Sequence, residues 1–184
     1  MVVQSESELK AATRRIRRNV VNMVYEAKSG HIGGSLSATD ILAVLYGNVL
    51  KHDPTRPDWP DRDRFIMSKG HCTPVQYAVL AEHGYLPVDE LETFRRSGTR
   101  LQGHSVLGKP PGVENTAGSL GMGLSFGLGI RLAARLQGLD SCVYVMMGDG
   151  EQDEGEQDIF LHAPDLGGKT SRCNDHGDDG CESR

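Results

Sequence analysis

Apolar side chains recur at Leu9, Ala12, Ile16, Val20, Val24 and Ala27, the three- and four-residue steps that line one face of a helix. Arg14, Arg15, Arg17 and Arg18 fall between them and form its solvated face. The turn SGHIGGS follows, with Gly30, Gly33 and Gly34 letting the backbone bend around His31. A second helix is predicted from Ser37, with Asp40 three residues on as a weaker capping box and Ile41, Val44, Leu45 and Val49 facing inward. After a proline-rich surface loop carrying Trp59, RFIMS (Arg64 to Ser68) reads as a short strand. Thr73 and Pro74 suit the N-cap and first position of a third helix ending near Gly84, and Pro87 opens another through Leu91 and Phe94. Residues 103–112 read as loop. The run NTAGSLGMGLSFGLGIRLAARL is a glycine-dense start that becomes a regular helix. Val143 to Met147 is predicted to be a buried strand, opened by Cys142 as a core thiol and closed by Gly148-Asp149-Gly150, after which GEQDEGEQ starts another helix.

This alternation of helices and strands predicts an α/β fold, a parallel sheet flanked by helices. Past Gln157 neither a 2.0 nor a 3.6 period survives, so the expected organisation is one domain over residues 1–157 and an irregular, disordered tail over 158–184. Two strands make an incomplete layer. A further parallel strand is expected beyond the helix at GEQDEGEQ, and the tail does not supply it.

Composition narrows the classes. A length of 184 residues suits one ordinary domain. Twenty Lys and Arg against 25 Asp and Glu leave a net charge of -5, which argues against a nucleic-acid partner. No apolar run approaches the ~20 residues of a membrane span, and Glu6, Glu8 and Glu26 argue against an acid-poor transit peptide, so a soluble cytoplasmic protein is expected. Cys72, Cys142, Cys173 and Cys181 contain no CxxC pair and suggest neither a zinc site nor a disulfide framework.

The candidate chemistry lies in loops. Asp149 is delivered by a parallel strand to the carboxyl edge of the sheet, where ligands bind in open α/β folds, and Gly148 and Gly150 leave room for a phosphate or a metal beside it. A hard cation such as Mg²⁺ takes one or two carboxylates and completes its octahedron with phosphate and water. The plainer alternative is a turn whose Asp149 caps the next helix. Gly118, Gly121, Gly123, Gly127 and Gly129 either expose backbone N–H groups to an anion or permit close helix packing. His31, His71 and His104 each follow a glycine in a loop; one such residue is ordinarily a solvated side chain, but three in one setting point to proton transfer near neutral pH.

The stretches SGHIGGSLSATDILAVLY, DPTRPDWPDRDRFIMSKGH, GYLPVDELETFR, PGVENTAGSLGMG and VYVMMGDGEQDEG come in the order and approximate spacing of transketolase. Over residues 10–157 the chain resembles the separate N-terminal subunit of a split transketolase. The resemblance implies a thiamine diphosphate-binding fold and a transferase that moves a two-carbon ketol unit from a ketose phosphate to an aldose phosphate, as in the pentose phosphate pathway. It implies thiamine diphosphate and Mg as cofactors. Asp149 matches the metal-binding aspartate and Gly148 and Gly150 lie beside it. Gly118 and Leu120 match cofactor contacts, His31, His71 and His104 the three active-site histidines, and Glu154 a glutamate at the interface between paired active sites. The glutamate that activates thiamine lies in the family's other half, so the resemblance further implies a C-terminal, pyrimidine-binding partner subunit, pairing into a dimer of such halves, and no turnover by this chain alone.

Three departures stand out. The family's GQG reads Gly121-Met122-Gly123, and its His-Pro-Glu reads His104-Ser105-Val106. The second half of the metal motif, an Asn about thirty residues after the Asp, has no match, because Asn174 follows GGKTSRC rather than an apolar strand. A chain truncated or shifted out of frame after about residue 157 accounts for that loss. The alternatives are a catalytically silent fragment, deoxyxylulose-phosphate synthase as another thiamine diphosphate enzyme, and a bare nucleotide-binding module. The last fails because GSLGMG does not follow a strand.

Overall fold

A computed structural model describes residues 4–154. Helix α1 (Glu6–Ala27) opens with a full capping box: the Ser5 hydroxyl accepts the Glu8 N–H, and the Glu8 carboxylate accepts the Ser5 N–H at 2.7 Å. Its buried face is Ala12, Ile16, Val20 and Met23, with Leu9, Val24 and Ala27 on the flanks. The arginine face is solvated as expected, and two of its members also reach neighbouring elements, Arg15 to Glu82 and Arg17 to Asp40.

The expected second helix is divided. Helix α2 (Ile32–Ser37) ends where the Ser37 hydroxyl donates to the Gly34 carbonyl, so Ser37 is a last residue and not an N-cap. Helix α3 (Thr39–Val44) runs on into a π-helical turn, Leu45–Val49. The inward face is also different: Leu42, Ala43, Tyr46 and Leu50 are buried and Leu45 packs half-buried against the core as expected, whereas Ile41 is 46% exposed and Val44 and Val49 are similar. Both faces are apolar in sequence, so periodicity could not choose between them. Tertiary packing makes the choice: Gly47 comes so close to α1 that a Cβ would meet Leu9 at 2.8 Å, and the Thr39 hydroxyl, buried on the same side, is satisfied by the Ser35 carbonyl. Asp40, expected to support a cap, pairs instead with Arg17.

Strand β1 (Arg64–Met67) and strand β2 (Val143–Met146) pair in parallel, with Arg64 opposite Val143 and Met67 opposite Met146. The sheet is fastened at its start by the Arg64 N–H to the Cys142 carbonyl and at its end by the Ser68 N–H to the Met146 carbonyl, both 2.9 Å. The parallel α/β expectation is therefore met. Two details are corrected: β2 is half-buried along its length, and Cys142 is exposed rather than a core thiol. Among the described residues β2 has a strand on one edge only.

Helix α4 (Thr73–Glu82) is N-capped by Cys72, one residue before the expected Thr73, and carries Pro74 in its first turn. Residues 73–81 are all buried. A 3₁₀ turn at Val88–Thr93 replaces the helix expected after Pro87, and it buries Leu91, with Phe94 next to it. Helix α5 (Met122–Leu136) lays Gly123 and Gly127 on the sheet; a Cβ at Gly127 would lie 2.7 Å from Val145. The helix expected after Asp149 begins as a 3₁₀ turn, Gly150–Asp153. That turn ends at Glu154 in extended backbone; residues 155–157, the tail 158–184 and Asn174 lie outside the described residues. No helix among the described residues is long and apolar enough to cross a membrane.

Candidate functional site

The three Gly-His loops converge although they are 40 and 33 residues apart in sequence, from His31 to His71 and from His71 to His104. His31 caps α2 without a side-chain hydrogen bond and is exposed. His71 occupies the 3₁₀ turn Gly70–Cys72 that β1 feeds into α4, and its ring lies 5.0 Å from that of His31 at 61°. The loop of His104 is tied down by α4, since the Thr73 hydroxyl donates to the Gly103 carbonyl at 3.1 Å and the Tyr77 hydroxyl to the Gln102 carbonyl at 3.0 Å. Arg95 fastens the same loop to that of His31: its guanidinium donates to the Ser29 hydroxyl at 2.5 Å and packs where a Cβ at Gly103 would stand.

Two of these imidazoles are biased toward the neutral form, His71 half-buried and His104 exposed at the site's edge. Burial pushes the His71 pKa down, and the neighbouring His31, Lys69 and His104 push it further, with Glu151 opposing. His104 is lowered by burial, then by Arg95 and His31. A neutral imidazole can accept a proton from a hydroxyl, the property a general base requires.

The other candidate residues lie where both strands end. Gly70 packs so tightly on Ala117 that a Cβ would come within 2.5 Å, which sets Gly118 and Leu120, both exposed, beside the His71 turn. Gly121, at φ +83°, bends the chain into α5. At the end of β2, Asp149 is exposed and makes no side-chain cap to the turn after it, so the capping alternative is not what is found. Among the described residues its carboxylate has no hydrogen-bond or ion-pair partner. Glu154 ends that turn on the surface.

Sequence reasoning passed over Lys69, Ser68, Glu151 and Arg95. Lys69 is only 8% exposed, yet among the described residues its ammonium has one acceptor, the Gly34 carbonyl at 3.2 Å, and no carboxylate. Its stem runs past Gly148, where a Cβ would meet Lys69 Cδ at 3.9 Å. A buried ammonium with a single neutral partner suits an anionic ligand between the turns of Gly34 and Gly148. Its signal in the sequence was the Lys in SKGH, two residues before a candidate histidine. Glu151 was read as part of an acidic helix start, and it is buried beneath the same turns.

These residues fit a diphosphate: backbone N–H groups at open glycines, a buried cation with unused donors, and a free carboxylate for a divalent ion. Among the described residues no group of three or more His, Cys, Asp or Glu is arranged to hold a metal. A divalent ion placed at Asp149 would therefore need oxygens from a ligand to complete its coordination shell.

Comparison with known proteins decides the family. Residues 8–169 match the family described as transketolase, thiamine diphosphate binding domain. The chain belongs to the transketolase family. It is 40% identical over 153 residues to a 6-deoxy-6-sulfo-D-fructose transketolase subunit of Clostridium sp. (strain MSTE9), covering 83% of this chain and 56% of that protein. It is 42% identical over 147 residues to an apulose-4-phosphate transketolase subunit of Phocaeicola vulgatus, covering 80% and 52%. Among solved structures, transketolase from Leishmania mexicana superposes with a TM-score of 0.78 at 37% identity, covering 88% of this chain and 26% of that one. The chain thus spans about half the length of the subunit-type relatives and about a quarter of the longer enzyme. The α/β fold is that of the thiamine diphosphate-binding domain.

Proposed function

We propose that this chain is the N-terminal, diphosphate-binding subunit of a two-part transketolase, which binds thiamine diphosphate and Mg and, with a C-terminal pyrimidine-binding subunit, transfers a two-carbon ketol unit from a ketose phosphate to an aldose phosphate. The observation that carries this reading is the convergence of His31, His71 and His104 at the carboxyl ends of two parallel strands, beside a free Asp149. Asp149 contributes the protein's carboxylate to the metal; Gly118, Leu120, Gly148 and Gly150 present backbone to the diphosphate, and Lys69 supplies positive charge. Thiamine diphosphate, when bound, would supply the nucleophilic chemistry for moving the ketol unit. His71 and His104, biased toward the neutral form, accept protons from substrate hydroxyls and return them, while His31 sits against His71 and orients it.

A partner is supported by the surface as well as by the names of the relatives. Met122, Phe126, Gly129, Ala133 and Leu136 are exposed on α5 at alternating steps of four and three residues, the spacing of a helix-packing seam. The test combines purified chain with a cognate C-terminal subunit, thiamine diphosphate and Mg²⁺ and measures ketol transfer. Turnover by the mixture and none by either chain supports the reading; a folded complex that binds the coenzyme but transfers nothing overturns it.

A further inference from the structure

Glu151 is 3% exposed and lies under the junction of β1, β2 and α5. One carboxylate oxygen accepts the Gly121 N–H at 2.8 Å and the Ser68 hydroxyl; the other accepts the Gly148 N–H at 3.0 Å. Ser68 in turn accepts the Gly123 N–H at 3.1 Å, and Gly123 leaves no room for a Cβ against Ser68. Three elements are thereby fixed to one buried charge: the end of β1 that leads to Lys69 and His71, the start of α5 that follows Gly118 and Leu120, and the turn that carries Asp149. All three groups bonded to the carboxylate are donors, so the position calls for a side chain that only accepts. Such charge-assisted bonds to backbone N–H groups are what offset the burial of a carboxylate.

We propose that Glu151 is a positioning residue for the coenzyme: it sets the spacing between the glycine turn before α5 and the Gly148-Asp149-Gly150 turn, so that both reach one diphosphate. The inference rests on the thiamine diphosphate reading above and adds to it a residue that does not touch the ligand. It separates cleanly from a plain charge effect. Removing a negative charge near an anionic ligand strengthens binding if Coulomb repulsion is the only link. Removing the acceptor that holds the two turns weakens it, because in Glu151→Gln the amide NH₂ must face a backbone N–H or the Ser68 hydroxyl. The two accounts differ in sign.

The experiment is titration calorimetry of the full chain with its C-terminal subunit, Mg²⁺ and thiamine diphosphate, with steady-state kinetics and far-UV circular dichroism alongside. Wild type is measured first; if it binds no coenzyme, the proposed function fails and this inference with it. Given wild-type binding, Glu151→Gln is expected to raise the coenzyme Kd about 10- to 100-fold, the usual range for residues that orient a ligand shell, with kcat at saturating coenzyme within about 3-fold. Ser68→Ala is expected to raise Kd by a smaller factor and to add nothing in the Glu151→Gln background, since both act through one network. Equal or tighter binding by a folded Glu151→Gln overturns the inference, as does loss of kcat at saturation. Should Glu151→Gln not fold, Ser68→Ala decides: unchanged Kd overturns the inference, and a raised Kd at wild-type kcat supports it.

Discussion

Helices α4 and α5 flank the same site and differ in almost every other respect. Every residue of α4 from Thr73 to Ala81 is buried, and the helix packs against α1 with Tyr77, Val79 and Leu80 fully enclosed. Helix α5 buries only Gly123, Gly127 and Ala134, two of them glycines that let it lie close on β1 and β2, and leaves Leu136 89% exposed. The strands repeat the contrast: β1 is buried from Phe65 on, and β2 is half-buried throughout. One side of the domain holds itself together through side-chain packing, and it carries His71 and anchors His104. The other side offers glycines, backbone donors and exposed apolar side chains, which pack less among the described residues. The site lies on the seam between a rigid wall and a receptive one.

The strongest test of that contrast is to damage the rigid wall. Tyr77 is fully buried, its ring meets Phe94 edge-on with centroids 6.2 Å apart, and its hydroxyl holds the Gln102 carbonyl. Truncation in Tyr77→Ala is expected to cost about 3–5 kcal/mol, a large part of a domain's total stability of roughly 5–15 kcal/mol. Denaturant unfolding followed by circular dichroism measures it. A loss below about 1 kcal/mol would show that α4 does not hold this side of the domain together.

The receptive wall predicts the opposite division of effects. Asp149 is exposed and has no partner among the described residues, so Asp149→Ala is expected to leave the melting temperature of the chain within about 1 °C. With Mg²⁺ present it is expected to weaken thiamine diphosphate by about 100-fold, equivalent to ~2.8 kcal/mol, because the remaining ligands of a hard cation are then the coenzyme and water. Calorimetry with and without Mg²⁺ reads the binding and thermal denaturation the stability; a variant that melts far lower assigns Asp149 to structure and not to the ligand.

Much of this was legible in the chain itself. Helix α1 and the two strands follow from periods and turn residues, because each is written locally, and His31, His71, His104 and Asp149 stand out as candidates because each follows a glycine in a loop or turn. The orientation of α3 was not legible: Ile41 and Leu42 are equally apolar, and the close approach of Gly47 to Leu9 depends on tertiary packing and on a π-helical turn that shifts the phase. Glu151 was hidden for a related reason. In an acidic run each carboxylate looks solvated, and only the meeting of residues 68, 121 and 148 makes one of them a buried acceptor. Cys142 and β2 read as core because an apolar run gives no sign of how many faces are covered.

Acid titration probes the packed side at a finer scale. His83, on the end of α4 near the rings of Tyr46 and His52, has its pKa lowered to about 4 by burial first and His52 second. In the unfolded chain the value is about 6.5, so that chain binds more protons between the two values. The contribution to stability is therefore complete above about pH 6.5 and is lost as pH falls through about 4. His71 and His104 are lowered as well and act with the same sign. Melting temperature is expected to fall between about pH 6.5 and 4, and His83→Phe is expected to flatten part of that slope; an unchanged slope would place the titrating groups elsewhere.

The smallest expected effect is the most informative about α5. Phe126 is exposed on the same face as Met122 and Leu136, pointing away from the glycines that meet the sheet. If the chain alone is compared, Phe126→Ser removes a side chain that is already 44% exposed, and its unfolding free energy is expected to fall by no more than about 1 kcal/mol. If α5 packs against a second helix in an assembly, the same substitution removes an aromatic anchor from the middle of a seam, and such anchors carry a disproportionate share of association energy. Analytical ultracentrifugation of the chain with its C-terminal subunit should then show assembly shifted to higher concentration by about 10-fold or more, the equivalent of ~1.4 kcal/mol. Loss of stability in the isolated chain with assembly unchanged would reverse the assignment and make α5 part of the rigid wall.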